Sequence, residues 1–497
     1  MAEFDTVITR GRVVDPDSGT DAIRDVGITD GRIAAVSAGE LSGRRTFDAA
    51  GLVVAPGFID LHSHTQSIPG DRMQAFDGVT TVLELESGVL PVDGWYAAQA
   101  AGRRVLNYGA SAAWTFARIA ELSPEAGEPD GSIRYFLDST AHKHWQFDVA
   151  RPDQIERILA RLDEGLGQGA LGIGINNGYA PAAGSHEMAA VATLAAHYGV
   201  PTFTHICYMS NIDPQSSYEA YLRIIALSAA TGAHMHICHL NSTSLRDIRR
   251  CVTALRNAQG RGLPISVEAY PYGVASTMAA AAFLADPRYH ERTGADYADI
   301  TVNATGERPR TRAELDDLQR REPGAPILWQ FLNVEENPAD RELLELSNLY
   351  PGGAVASDAM PWELPDRRFV TGDVWPMPAE AMAHPRSAAT FSRFLSQYVT
   401  RGGRISLSEG IAKCSLIPAQ IMRTGSAEFG DKGRLAVGAD ADVIAFDADR
   451  LVDVATFTRP AAPSQGMVHV LVNGDPVISG GRLDTTAFPG RPVRRPC

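Results

Sequence analysis

The sequence predicts an α/β chain: a (β/α)8, TIM-like barrel with a small β-sandwich domain built from both chain ends. Three observations predict it. The middle of the chain alternates short apolar runs with helical patterns. Both ends read instead as short strands punctuated by tight turns. Histidines and an aspartate stand just after several of the middle runs.

Residues 1–56 form the first half of the end-built domain, with strands expected over 6–9, 27–29 and 32–36. Asp30-Gly31 precedes the third, a pair that tolerates the positive φ values of a type I′ hairpin turn. Residues 426–497 read the same way: 442–446 and 467–472 are rich in valine and other apolar residues, and Asn473-Gly474 marks a second hairpin. Neither end has strands enough for a stable sheet, so the two halves are expected to pair.

The middle, 57–425, carries eight apolar runs: 57–61, 79–83, 105–108, 170–175, 200–204, 234–238, 265–269 and 353–357. Eight strands with crossover helices make a barrel whose active site lies at the carboxyl ends of the strands. The gap near 280–350 is too long for a plain crossover and predicts an inserted lid or subdomain.

Composition narrows the class. At about 150 residues per domain, 497 residues make roughly three structural units. An apolar fraction of 44% and a charged fraction of 21% exclude a disordered or fibrous chain. A net charge of −14 with no basic cluster argues against nucleic acid and leaves a small-molecule substrate. No run of about 18 apolar residues predicts a membrane span, and residues 1–5 lack the basic and apolar regions of a signal peptide, so a cytoplasmic protein is expected. The five cysteines are too scattered for a disulfide framework.

His62 and His64 follow the first run two positions apart, a spacing that turns both imidazoles the same way at a strand end. His205, His239 and Asp358 follow the fifth, sixth and eighth runs. Four histidines and an aspartate at carboxyl strand ends converge on one point if the barrel is right, which makes them candidate metal ligands. His234 and His236 alternate with apolar residues and are expected to pack in the core.

Several segments carry a resemblance: 55–60 with His62 and His64, 78–82, 169–172, Tyr270-Pro271-Tyr272, His384-Pro385-Arg386 with Thr390-Phe391, and the tail 438–443. Across nearly the whole chain they resemble the amidohydrolase superfamily, close to the N-acyl-D-amino-acid deacylases, or D-aminoacylases. The resemblance implies a hydrolase using one or two zinc ions to remove an acyl group from the nitrogen of a D-amino acid. His62, His64, His205, His239 and Asp358 match the family's metal and catalytic positions, and Tyr272 and Arg386 match positions that grip the substrate carboxylate.

Departures from the family pattern matter. The only lysines, Lys143, Lys413 and Lys432, follow none of the runs, so a carbamylated lysine bridge is not expected. D-aminoacylases resemble each other in a cysteine that here is Ser87. A carboxylate suits zinc better than a neutral hydroxyl, so Glu86 is the expected replacement ligand and Glu84 the second choice. Cys207 and Asn241 stand where the family often has arginine and lysine, which argues for a neutral substrate side chain.

The implied mechanism uses zinc to lower the pKa of bound water towards about 7, giving a metal-bound hydroxide that attacks the amide. Asp358 serves as general base and then acid. The rival readings are a cyclic amide or imide hydrolase, a deaminase of the same superfamily, and a non-catalytic barrel scaffold.

Overall fold

The computed structural model describes residues 3–496. It divides into two compact units. One holds the residues up to 83 with 99–108 and 354–493; the other holds 84–98, 109–353 and the residues after 493.

In the first unit, one nine-stranded sheet joins the two chain ends. Its order is Arg482–Leu483, Asp475–Ser479, Met467–Val472, Val443–Phe446, Val53–Pro56, Phe4–Asp15, Thr20–Thr29 and Arg32–Ser37, with Gly43–Asp48 paired to Phe4–Asp15. The junction of early and late chain is the antiparallel pair Val53–Pro56 and Val443–Phe446, in register Val443↔Pro56. Both expected hairpins are present. Thr29 pairs with Arg32 across Asp30 (φ 51°) and Gly31 (φ 72°), and Val472 pairs with Asp475 across Asn473 (φ 51°) and Gly474 (φ 82°). Two successive positive φ values are what a type I′ turn demands. Ile8, Val26, Ile33, Val443 and Leu471 share one buried cluster, so residues more than 400 positions apart in sequence exclude water together.

Eight further strands form one parallel sheet, ordered Ala354–Val355, Ile265–Ala269, Met235–Ile237, Thr202–His205, Ile173–Asn176, Asn107–Ala113, Val79–Val89 and Phe58–Asp60. This is the predicted barrel. Within the first unit, Phe58–Asp60 pairs with the start of Val79–Val89, and just beyond the strand ends Ser63 bridges Ala359 in parallel. Within the second unit, Thr202 pairs with both Ile173 and Met235, and Met235 with Ile265. Two runs depart most from the expected boundaries. The strand expected over 105–108 occupies Asn107–Ala113, and the one expected to stop at 83 continues to Val89 with every residue buried.

The long gap after the seventh barrel strand holds a three-stranded antiparallel sheet, Val274–Met278, Pro326–Gln330 and Ile300–Val302, with helix Arg312–Arg321. Thr311 caps that helix by accepting from the Glu314 N–H, as its Thr-x-x-Glu spacing dictates.

Candidate metal centre

Two acid–imidazole groups are built on the barrel strands. In the first unit, residues 62–64 follow Phe58–Asp60 and Asp358 follows Ala354–Val355. His62 Nε2 lies 3.2 Å from His64 Nε2, and Asp358 Oδ1 lies 3.5 Å and 3.7 Å from the two nitrogens. All three residues are buried. Ligand bonds of about 2.0–2.1 Å at tetrahedral angles give edges of about 3.3 Å. The spacing of this triad therefore fits a shared cation, and the imidazole and carboxylate donors suit zinc.

Asp358 is held from behind. Arg386, buried at the start of helix Arg386–Ala389, places Nη2 2.8 Å from Asp358 Oδ2, and its Nε donates to the Asp358 carbonyl at 2.6 Å. Asp358 also adopts φ 53°, the left-handed region that costs a side-chain-bearing residue on the order of 1–3 kcal/mol. Such a conformation persists only where neighbours impose it.

The second unit brings Glu86, His205 and His239 together. Glu86 Oε1 lies 3.1 Å from His205 Nδ1 and 2.8 Å from His239 Nε2, and the ring centroids of the two histidines are 4.7 Å apart. Glu86 sits inside strand Val79–Val89, His205 ends strand Thr202–His205, and His239 follows Met235–Ile237 with φ 37°. The other Glu86 oxygen accepts from Asn176 Nδ2 at 2.9 Å, and Asn176 Oδ1 in turn accepts from Thr115 at 3.1 Å. That relay fixes the carboxylate, a support common behind metal-ligating acids. Gly178 makes room for His205, since a Cβ there would lie 2.5 Å from the ring.

Other singled-out residues fall elsewhere. Glu84 is buried, but among the described residues it joins no group of metal-spaced donors, whereas Glu86 does. Tyr272 is buried, its N–H donating to the Tyr270 carbonyl and its carbonyl accepting from Asn241 Nδ2. The ring of Tyr270, not singled out as a ligand, stands 6.3 Å from that of His239. Asn241 Nδ2 also donates to the Tyr270 carbonyl, so it ties the loop after the seventh strand. The Arg223 Nη1 donates to Cys207 Sγ at 3.6 Å, while burial pushes this thiol's pKa up. The lysines stand away from strand ends: Lys143 before helix His144–Phe147, Lys413 within Leu407–Cys414, and Lys432 paired with Asp440 and Asp442.

Sequence reasoning missed Asn176, Thr115 and Glu268. His236 Nε2 lies 3.2 Å from Glu268 Oε2, and His236 Nδ1 and His234 Nε2 both meet the Ser266 hydroxyl, at 2.8 Å and 2.7 Å. Burial lowers the His234 pKa to about 4 and keeps its ring neutral. Among the described residues His236, Cys238 and Glu268 also satisfy metal spacing, but His236 and Glu268 already belong to a buried polar network through Ser266.

The barrel and its acid–imidazole groups define a class. A family model described as "Amidohydrolase family" matches residues 45–253 and 243–478, and the chain belongs to that family. It is accordingly a metal-dependent hydrolase, an enzyme of carbon–nitrogen bonds other than peptide bonds. An N-acyl-D-glutamate deacylase of Alcaligenes xylosoxydans xylosoxydans is 27% identical, over 99% of this chain and 97% of that one. A D-aminoacylase of the same organism is 26% identical, over 95% and 94%. The solved structure of an N-acyl-D-glutamate deacylase from Bordetella bronchiseptica, complexed with zinc and a phosphonate inhibitor, superposes with a TM-score of 0.75. It covers 99% of both chains at 23% identity, which bears on the fold alone. Among the described residues no helix is long and apolar enough to cross a membrane.

Proposed function

We propose that this chain is a zinc-dependent hydrolase that cleaves an N-acyl-D-amino acid to a carboxylate and the free D-amino acid. The proposed ligands are His62, His64, Glu86, His205, His239 and Asp358. The observation that carries the reading is the pairing of buried carboxylates with imidazole nitrogens at 2.8–3.7 Å, on strand ends of an amidohydrolase barrel. The relatives named as N-acyl-D-amino-acid deacylases supply the substrate class.

A divalent cation held by these residues would supply Lewis acidity and the means to activate water near neutral pH. Asp358 accepts the proton of the attacking water at its carboxylate and returns it to the leaving nitrogen, acting as base and then acid. Arg386 holds that carboxylate in place through Oδ2 while Oδ1 faces the histidines. Arg386 and Tyr272 are the proposed grip on the substrate's α-carboxylate, which orients the scissile carbonyl. The proposed substrate carries a neutral side chain. Asn241 donates to backbone carbonyls, and Arg223, beside Cys207, also donates to the Ala183 carbonyl.

The deciding experiment is hydrolysis by the zinc-loaded protein of N-acetyl-D-leucine, N-acetyl-D-glutamate, N-acetyl-L-leucine, a hydantoin and dihydroorotate. Preferred turnover of the D-leucine compound is expected. Activity confined to the rings, or to the L-isomer, would overturn the proposal, and preference for D-glutamate would overturn the side-chain reading alone.

A further inference from the structure

Behind the triad of the first unit lies a carboxylate that touches none of the ligating atoms. Asp60, the last residue of strand Phe58–Asp60, is completely buried. Its Oδ1 accepts from the backbone N–H of His62 at 3.2 Å and of Ser357 at 2.9 Å. Its Oδ2 accepts from Gln74 Nε2 at 2.7 Å and from the Ser357 hydroxyl. Four donors fill the acceptor sites of one carboxylate, so Asp60 is committed to its neighbours.

Those neighbours are the backbone that carries the ligands. Ser357 and Ala359 flank Asp358, and both are pinned. The Ser357 N–H goes to Asp60, and the Ala359 N–H donates to Ser357 Oγ at 3.0 Å. On the other side His62 is pinned to the same Asp60, and the His64 N–H donates to the Ala359 carbonyl at 2.8 Å. The left-handed φ of Asp358 is thus imposed by hydrogen bonds on either side of it.

We propose that Asp60 is a positioning residue for metal binding: its carboxylate locks the strand end bearing His62 and His64 to the one bearing Asp358, so that the three ligating atoms stand at cation spacing before a cation arrives. The inference rests on the reading of that triad as a metal site. Preorganisation of this kind makes metal affinity depend on residues that never touch the metal.

The test titrates zinc into metal-free full-length protein, by competition with a chromophoric chelator, for the wild type, Asp60→Asn, Ser357→Ala and the double variant Asp60→Asn/Gln74→Glu. Circular dichroism and the thermal midpoint of the metal-free forms are followed in parallel. Asp60→Asn is expected to weaken zinc about 10- to 100-fold, the range for outer-shell partners. In the double variant two hydrogen bonds reverse: the amide introduced at position 60 donates to the carboxylate introduced at position 74 and to the Ser357 hydroxyl, whose own proton goes to the His62 carbonyl, already 3.1 Å away. The other oxygen of that carboxylate still accepts from Ser63, as Gln74 Oε1 does at 3.2 Å. Recovery of most of the lost affinity is expected there. Should Asp60→Asn not fold, Ser357→Ala keeps the carboxylate, removes the hydroxyl between the strand ends and is expected to weaken zinc several-fold. Folded variants that bind zinc within twofold of wild type, or a lowered thermal midpoint with unchanged affinity, would reduce Asp60 to a structural residue and overturn the inference. A wild type that takes up no zinc would instead overturn the proposed function.

Discussion

Replacing Asp358 by Asn preserves the shape of the side chain and removes its charge, and the structure sets the size of the effect. One carboxylate oxygen faces His62 and His64 at 3.5 Å and 3.7 Å; the other faces Arg386 at 2.8 Å. An amide has one oxygen, so its NH2 must point either at the guanidinium, donor against donor, or at the histidines. A base and acid worth about 10²- to 10⁴-fold corresponds to about 3–5 kcal/mol of transition-state stabilisation. Leaving Arg386 buried beside a neutral partner costs folding stability as well, with about 3–5 kcal/mol as the measured range for breaking a buried pair. Steady-state kinetics of the zinc-loaded variant should show kcat reduced by at least about 100-fold with KM changed far less, together with a lowered thermal midpoint. Turnover equal to wild type in a protein of lowered stability would assign Asp358 a structural role and refute the proton-transfer argument.

Other perturbations follow from single contacts. Glu86→Gln removes the charge shared by His205 and His239 and should lower bound zinc, whereas Glu84→Gln should leave zinc content unchanged; metal analysis of the two purified variants distinguishes them. Lys413 is buried in helix Leu407–Cys414, and desolvation lowers its pKa from 10.5 to about 8. Between these values the unfolded chain binds more protons than the folded one, so stability should rise with pH from about 8 to 10.5, by on the order of 3 kcal/mol. Urea midpoints across that window should climb in the wild type and lose this increment in Lys413→Met; an increment that survives the substitution would show that Lys413 is not its source.

Much of this architecture was legible in the residues. Asp30-Gly31 and Asn473-Gly474 announced their turns because few other pairs accept two positive φ values in succession. The pairing of the chain ends followed from each end being too small to fold alone. The strand Asn107–Ala113 is poorly marked in the sequence because its last five residues, Gly-Ala-Ser-Ala-Ala, have low β propensity and are strand only through their neighbours. The apolar run of strand Val79–Val89 ends at 83 because Glu84 and Glu86 are polar, although both are buried in it. His62, His64 and Asp358 were visible as donors at strand ends. The relay from Thr115 through Asn176 to Glu86 was not, because neutral side chains supporting a ligand carry no spacing signal and depend on tertiary contact.

Under the proposed function, hydrolysis depends on a metal held by these histidines and carboxylates. Elemental analysis of the purified chain, alongside its rate on an N-acyl-D-amino acid before and after removal of metal by a chelator and again after adding zinc back, measures that dependence. One or two zinc ions per chain, loss of turnover in step with zinc loss, and recovery on reloading are expected. Full turnover by a chain emptied of metal would contradict the proposed function.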